Sequence, residues 1–229
     1  FAPAGGIINF DGGNQNITTD ADLVTGNNFS GVIMSGSDTK TAATALDVNG
    51  DFSIAAGVTF APAGFTHGFS GNWDDSPSAG GFVPTSGLIN FDGTTTTTIT
   101  TNAGNYFNNL TIGDGTDTKV VRTNSSTAVN VEATLTVATN GTFEVLASHS
   151  LTLEDVVVNT SGTLTATGSA GNDALLGFQT ATDASLTVND GGALTLTGAS
   201  TSERNAIIRG ANASRIDFDI GITKGATFT

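Results

Sequence analysis

Residues 73–75 read Trp-Asp-Asp and form the sharpest local cluster of side chains that could do chemistry in this 229-residue chain. An aromatic ring beside two carboxylates is typical of sugar-binding sites, and two carboxyl groups at a suitable separation hydrolyse glycosides. Ser76, Pro77 and Ser78 follow, a composition typical of a loop. Neighbouring strand residues point to opposite faces, so Trp73, Asp74 and Asp75 would not share one site if they lay in a strand. With the loop-like residues that follow, they also fit a loop that flanks a strand.

Two Asp-Gly pairs, at Asp11 and Asp92, end one shared phrase: GGIINFDG at residues 5–12 and SGLINFDG at residues 86–93. The two aspartates could be calcium ligands or an acid/base pair. Asp-Gly is also favoured in tight turns for its backbone geometry. The G-G-x-G-x-D calcium repeat is absent, although the acidic balance leaves surface calcium sites as an alternative. We predict corner turns here and no cofactor.

Other catalytic signatures are weak. His67 and His149 are isolated and lack the HExxH spacing of a metal centre. There is no cysteine, which excludes disulfides and thiol catalysis, and there is no G-x-S-x-G motif. Polysaccharide lyases use parallel β-helices, but their acidic substrates need cations, and only Lys40, Lys119 and Arg122 precede residue 204. The sequence predicts no catalytic residues and no enzyme.

The charge balance also excludes several partners. Seven Lys and Arg against 21 Asp and Glu give a formal net charge of -14, so nucleic acid and anionic membranes are disfavoured. No run approaches eighteen apolar residues, and we expect no membrane insertion. The chain starts at Phe1 without the features of a signal peptide, which indicates a processed or excised segment.

The shared phrase belongs to a longer repeat. The glycines of Gly57-Val58-Thr59-Phe60, Gly141-Thr142-Phe143 and Gly225-Ala226-Thr227-Phe228 are 84 residues apart each time. The repeat unit is therefore about 80 to 85 residues long. We predict repeat 1 at residues 1–81, repeat 2 at 82–164 and an eroded repeat 3, with an atypical C-terminal end, at 165–229.

Short stretches of alternating apolar and polar residues recur between Gly, Asn, Asp and Ser. The alternation predicts strands, and the punctuating residues predict turns. Five such stretches are 134–137, 150–153, 163–166, 185–188 and 193–197. Because the chain repeats itself, we predict an all-β fold, a β-solenoid (parallel β-helix) of about eleven rungs of roughly 20 residues each. Ile8, Phe10, Ile89 and Phe91 should point into the core, with Asn9 and Asn90 outside.

The pattern resembles a known group of proteins. The stretches that carry the resemblance are NFDG, ITT, FNNLTI at 107–112, DTK, LDVNGDFSI at 46–54 and GNW at 71–73. They are similar to the repeats of very large bacterial cell-surface proteins, adhesin-like and filamentous-haemagglutinin-like β-helix proteins rich in Gly, Thr and Asn. The resemblance covers about residues 1–200. It implies an extracellular, cell-surface location and a scaffold or adhesive role, and it supplies no catalytic residues.

The two ends of the chain suggest self-assembly. Residues 225–229 break off within the phrase that residues 57–64 complete, and residues 1–5 repeat residues 60–64. Copies could therefore stack end to end in an open filament, or the chain could be a window from a longer polypeptide. The residues assigned to self-assembly are Phe1, Pro3, Arg204, Arg209, Arg215 and Phe228.

The sequence thus predicts an extracellular structural protein, the stalk or stacked subunit of a bacterial surface filament, adhesin or sheath. Its expected partners are copies of itself and host or matrix glycans. One alternative is a carbohydrate-binding or carbohydrate-active module that uses Trp73, Asp74 and Asp75. A second alternative is an ice-binding face of ranked threonines: Thr134, Thr136, Thr163, Thr165, Thr195 and Thr197.

Overall fold

The computed structural model describes residues 6–19, 29–124, 127–169, 172–178 and 184–197, and the backbone of three further strands at 206–210, 217–219 and 227–228. All regular elements in these ranges are β-strands. Strands pair in parallel in every ladder, as successive turns of a solenoid must. The prediction of an all-β parallel β-solenoid is therefore confirmed. In the described ranges no helix is long and apolar enough to cross a membrane.

The first sheet runs along the whole described solenoid and contains ten strands. Numbered in chain order, its strands are β1 (Ile8–Phe10), β3 (Val32–Met34), β6 (Phe52–Ile54), β9 (Trp73–Asp74), β11 (Thr97–Thr100), β13 (Lys119–Thr123), β15 (Gly141–Val145), β17 (Thr163–Thr167), β20 (Ala193–Thr197) and β23 (Thr227–Phe228).

Two more sheets close the other sides. The third sheet contains β2 (Gln15–Ile17), β4 (Asp38–Ala42) and β7 (Val58–Ala61). The second sheet contains β5 (Asp47–Val48), β8 (Thr66–Phe69), β10 (Leu88–Phe91), β12 (Asn109–Ile112), β14 (Val129–Val137), β16 (Ser150–Val158), β18 (Ala174–Phe178), β19 (Ser185–Val188), β21 (Ala206–Gly210) and β22 (Asp217–Asp219). An irregularity between Val131 and Thr134 divides β14, and β16 likewise pairs with both β18 and β19. Each later turn therefore also has three sides.

The alternating side chains explain why these segments are strands. In β17, Leu164 and Ala166 are buried whereas Thr163 and Thr165 face outward, and β19 repeats the pattern. The inward residues form one hydrophobic cluster from Ile17 to Leu194. Burial of such side chains is the main stabilising term of the fold. The predicted inward positions are confirmed: Ile89 and Phe91 are buried, and Ile8 and Phe10 pack against the core.

The described part of the solenoid has fewer turns than the eleven rungs predicted. The predicted rung length of 20 residues separates Val32 from its register partner Phe52. In contrast, 30 residues separate Leu164 from its register partner Leu194. Longer turns accommodate the same chain in fewer levels, and the first sheet has ten strands.

The 80-to-85-residue repeat does not stack on itself. The first copy of the INF phrase is β1 in the first sheet, whereas the second copy is β10 in the second sheet. Four turns extend from Ile8 to Ile99 through consecutive register partners, 91 residues. Ile89 precedes Ile99, the residue four turns above Ile8, by ten residues. Each element of the second copy therefore lies on the side of the solenoid that precedes the side of its counterpart in the first copy. The boundaries of the three repeats stay a prediction.

Candidate functional site

Lys40 lies wholly inside the solenoid, with 0% of its surface exposed. Its ammonium group donates to the carbonyl oxygens of Gly12, Gly13 and Ser37, the last two at 2.7 Å. An ammonium has three donors, so all of them are satisfied. Gly12 and Gly13 belong to the turn below, and the lysine therefore ties two successive turns together at their corner.

Lys119, the matching residue of the second repeat, is also buried. Its Nζ donates to the carbonyl oxygen of Ser70 at 2.8 Å, and the Ser70 hydroxyl donates to Asp92 Oδ1 at 2.8 Å. Burial lowers the pKa of Lys119 to about 8, against the opposing effect of the Asp92 charge. In both copies the lysine of the DTK triplet is thus linked to the Asp-Gly turn, directly for Lys40 and through Ser70 for Lys119. Sequence reasoning missed this pairing; its only signal was that Asp38-Thr39-Lys40 and Asp117-Thr118-Lys119 are copied together with the two Asp-Gly pairs.

Asp11 and Asp92 occupy turns, as predicted. Asp11 is exposed. Its backbone lies so close to Gly36 that a Cβ atom on Gly36 would be 2.0 Å from the Asp11 carbonyl oxygen. Gly93 has a φ of +74°, the left-handed conformation that glycine adopts without strain. Burial and the charge of Asp92 raise the pKa of Asp47. No group of three or more His, Asp or Glu side chains in the described ranges is arranged to hold a metal ion.

Trp73 is a core residue. It has 0% exposed surface, stacks on Phe52 with ring centroids 4.5 Å apart, and contacts Phe69, Phe82 and Phe107. An indole ring enclosed by other aromatic rings has no free face for a sugar. The prediction of Trp73 as a sugar platform is therefore wrong, because inward alternation in β9 directs this side chain into the core.

The two neighbouring aspartates point in different directions. Asp74 faces outward, and its Oδ1 accepts hydrogen bonds from the backbone nitrogen and hydroxyl of Ser76, at 3.0 and 2.6 Å. Asp75 is fully buried: Trp73 Nε1 donates to it at 3.0 Å and Asn102 N at 3.2 Å. Burial raises the pKa of Asp75 to about 6. The three residues therefore do not form one site, and Asp75 braces the corner from within.

His67 bridges two backbone groups inside the protein. Its Nδ1 accepts from Leu46 N at 3.0 Å, and Nε2 lies 2.8 Å from the Pro62 carbonyl oxygen. This arrangement needs a neutral ring with the proton on Nε2. Burial lowers the pKa of His67 and favours that form. The residue joins two turns, as the lysines do.

The six threonines proposed as an ice-binding face lie on two different sides. Thr134 and Thr136 belong to β14 in the second sheet, whereas the other four belong to β17 and β20 in the first sheet. The row is also interrupted, since Glu144 is the register partner of Thr165. The single ranked face is therefore not formed.

The predicted self-assembly residues fall on parts of the chain for which side chains are not described. Phe1, Pro3, Arg204 and Arg215 lie outside the described residues, and Arg209 and Phe228 are placed only as backbone positions of β21 and β23. Their role stays a prediction. Comparison with known protein families, curated proteins and solved structures finds nothing that matches this chain.

Proposed function

We propose that this protein is a structural β-solenoid rod, used outside the cell as the stalk or the stacked subunit of a bacterial surface filament, adhesin or sheath. The observation that carries the proposal is how the buried ionisable groups are used. Lys40, Lys119, His67 and Asp75 each bind backbone atoms of another turn. Groups that in an enzyme would face a substrate here hold successive turns together.

The continuous core supports the same proposal. One hydrophobic cluster connects the described turns from Ile17 to Leu194, and parallel backbone ladders flank it. In solenoids each turn contacts only its neighbours, so the same interaction repeats along the axis. Such a rod transmits load along its length and separates whatever lies at its two ends.

Copies of the same chain are the partners that this architecture accommodates best. The edge strand of a parallel sheet offers free backbone donors and acceptors, and a copy added in the same direction would continue the ladders. Such contact between unlike ends does not close and produces a filament. The stalk and the stacked subunit are therefore two versions of one structural role.

Cryo-electron microscopy of the purified protein over a concentration series tests this proposal. Ten levels spaced about 4.8 Å apart correspond to discrete rods of about 45 Å, whereas stacking would give fibres with the same 4.8 Å rung spacing. Either result supports a rod. Compact particles without an elongated axis would contradict it, and turnover of polysaccharides by the purified protein would show that it is not purely structural.

A further inference from the structure

We propose that the outward face of the first sheet carries a binding groove for a neutral carbohydrate chain, a function beyond that of a rod. The groove crosses β3, β6, β9 and β11 and has a volume of about 410 Å³. The residues that line it include Ile7, Ile33, Asp51, Asn72, Asp74 and Thr98.

The polar wall of the groove is held in place by its own hydrogen bonds. Asn72 N donates to Asp51 Oδ1 at 2.8 Å, and both the backbone nitrogen and the hydroxyl of Thr98 donate to Asn72 Oδ1, at 2.8 and 3.0 Å. Asp74 is oriented in the same way by Ser76. Side chains fixed before binding lose little conformational entropy when a ligand arrives.

The donors and acceptors left over match hydroxyl groups. These hydrogen bonds leave the second carboxylate oxygen of Asp51 and the amide NH2 of Asn72 for other partners, beside the outward Ser53. A sugar hydroxyl both donates and accepts, so it can use carboxylate and amide together. A cationic ligand would use only the acceptors.

Charge and shape narrow the ligand class further. Two carboxylates and no lysine or arginine line the groove, which opposes phosphates and acidic sugars. Ile7, 67% exposed, and Ile33 give one end an apolar surface on which the C–H face of a sugar ring can pack. A few polar side chains placed beside an apolar surface are typical of ligand-binding sites. Trp73 lies behind the groove, in the core, and is not needed for contact.

Saturation-transfer NMR and calorimetry test the groove directly. The probes are neutral tetrasaccharides of glucose, mannose and N-acetylglucosamine in α and β linkages, with trigalacturonic acid and tetralysine as charged comparisons. We expect at least one neutral tetrasaccharide to bind and trigalacturonic acid not to. Ser53→Phe, which fills the centre of the groove, should abolish binding. Asp74→Asn retains an acceptor for Ser76 and should weaken binding about tenfold, the loss expected for one charged hydrogen bond.

The matched control is Thr142→Phe, which adds the same ring at an outward position of β15, on the same sheet but outside the groove. It should bind like the original chain. The proposal is overturned if no neutral tetrasaccharide binds, or if binding survives Ser53→Phe. Binding of tetralysine in place of sugars would also overturn it and assign the groove to a basic peptide. None of these outcomes alters the rod dimensions, so the two proposals fail separately.

Discussion

The ammonium nitrogen of Lys40 lies 2.7 Å from the carbonyl oxygen of Gly13, a residue of the preceding turn. Lys119, its counterpart in the second repeat, reaches further, to the carbonyl oxygen of Ser70 two turns below, at 2.8 Å. At these corners the lysine adds a charged donor to carbonyl groups between two strands, of which Gly12 also accepts from Ser37 N and Ser70 from Thr95 Oγ1. The lysine and the Asp-Gly turn lie together in both repeats, which explains why the DTK triplet is copied together with the Asp-Gly turn.

Replacing Lys40 by methionine should lower the free energy of unfolding by about 3 kcal/mol. The apolar side chain fills similar volume but removes the three hydrogen bonds that the ammonium donates to Gly12, Gly13 and Ser37, a net loss of about 1 kcal/mol for each. Urea denaturation followed by the fluorescence of Trp73, the single tryptophan, measures the change. Arg122→Met is the control, because Arg122 forms an exposed ion pair with Glu144, worth about 1 kcal/mol or less. Equal effects of the two substitutions would refute the corner role.

Lys119 should make stability rise with pH in the alkaline range. Its pKa is about 8 in the folded protein and about 10.4 in an unfolded chain. Between these values the unfolded chain binds the extra proton, so the free energy of unfolding increases from pH 8 to pH 10. Lys119→Met should flatten that slope in a pH series of urea titrations. Parallel curves for both proteins would show that the buried amine does not titrate in this window.

Asp75 should make the free energy of unfolding fall as pH rises in the acid range. Its pKa is about 6 in the folded protein and about 3.9 when unfolded, so its contribution to stability is present below about pH 4 and is lost as pH rises through about 6. Asp75→Asn should remove this component from the pH dependence of Tm. Asp74→Asn, on the outward neighbour, should retain it. If both variants change the profile equally, burial of Asp75 is not the cause.

Gly50 should tolerate no side chain. A Cβ atom there would lie 1.8 Å from the carbonyl oxygen of Ser30 in the adjacent turn, so Gly50→Ala must separate two turns. We expect a loss of about 3 kcal/mol, as for other overpacked sites. Gly6→Ala is the control, since its Cβ would meet nothing within 4 Å. Thermal unfolding by circular dichroism compares the two, and a Gly50→Ala variant as stable as Gly6→Ala would contradict the close contact.

The sequence by itself determined the strands and the class of fold. Alternation at residues 163–166 and 185–188 predicts β17 and β19, and the structure has both strands there. The phrase INFDG likewise predicts inward Ile89 and Phe91 followed by a turn. These features are local, because the period of two in a strand and the conformational preferences of Asp-Gly act over a few residues.

Only the tertiary structure decided which residues meet. Trp73, Asp74 and Asp75 are adjacent in sequence, yet the tryptophan and Asp75 are buried while Asp74 faces the groove. The two INF phrases are nearly identical, yet they lie in different sheets. The physical reason is the length of the turns: corners of unequal length set how many residues close each turn, and that number decides which side of the solenoid receives a given residue.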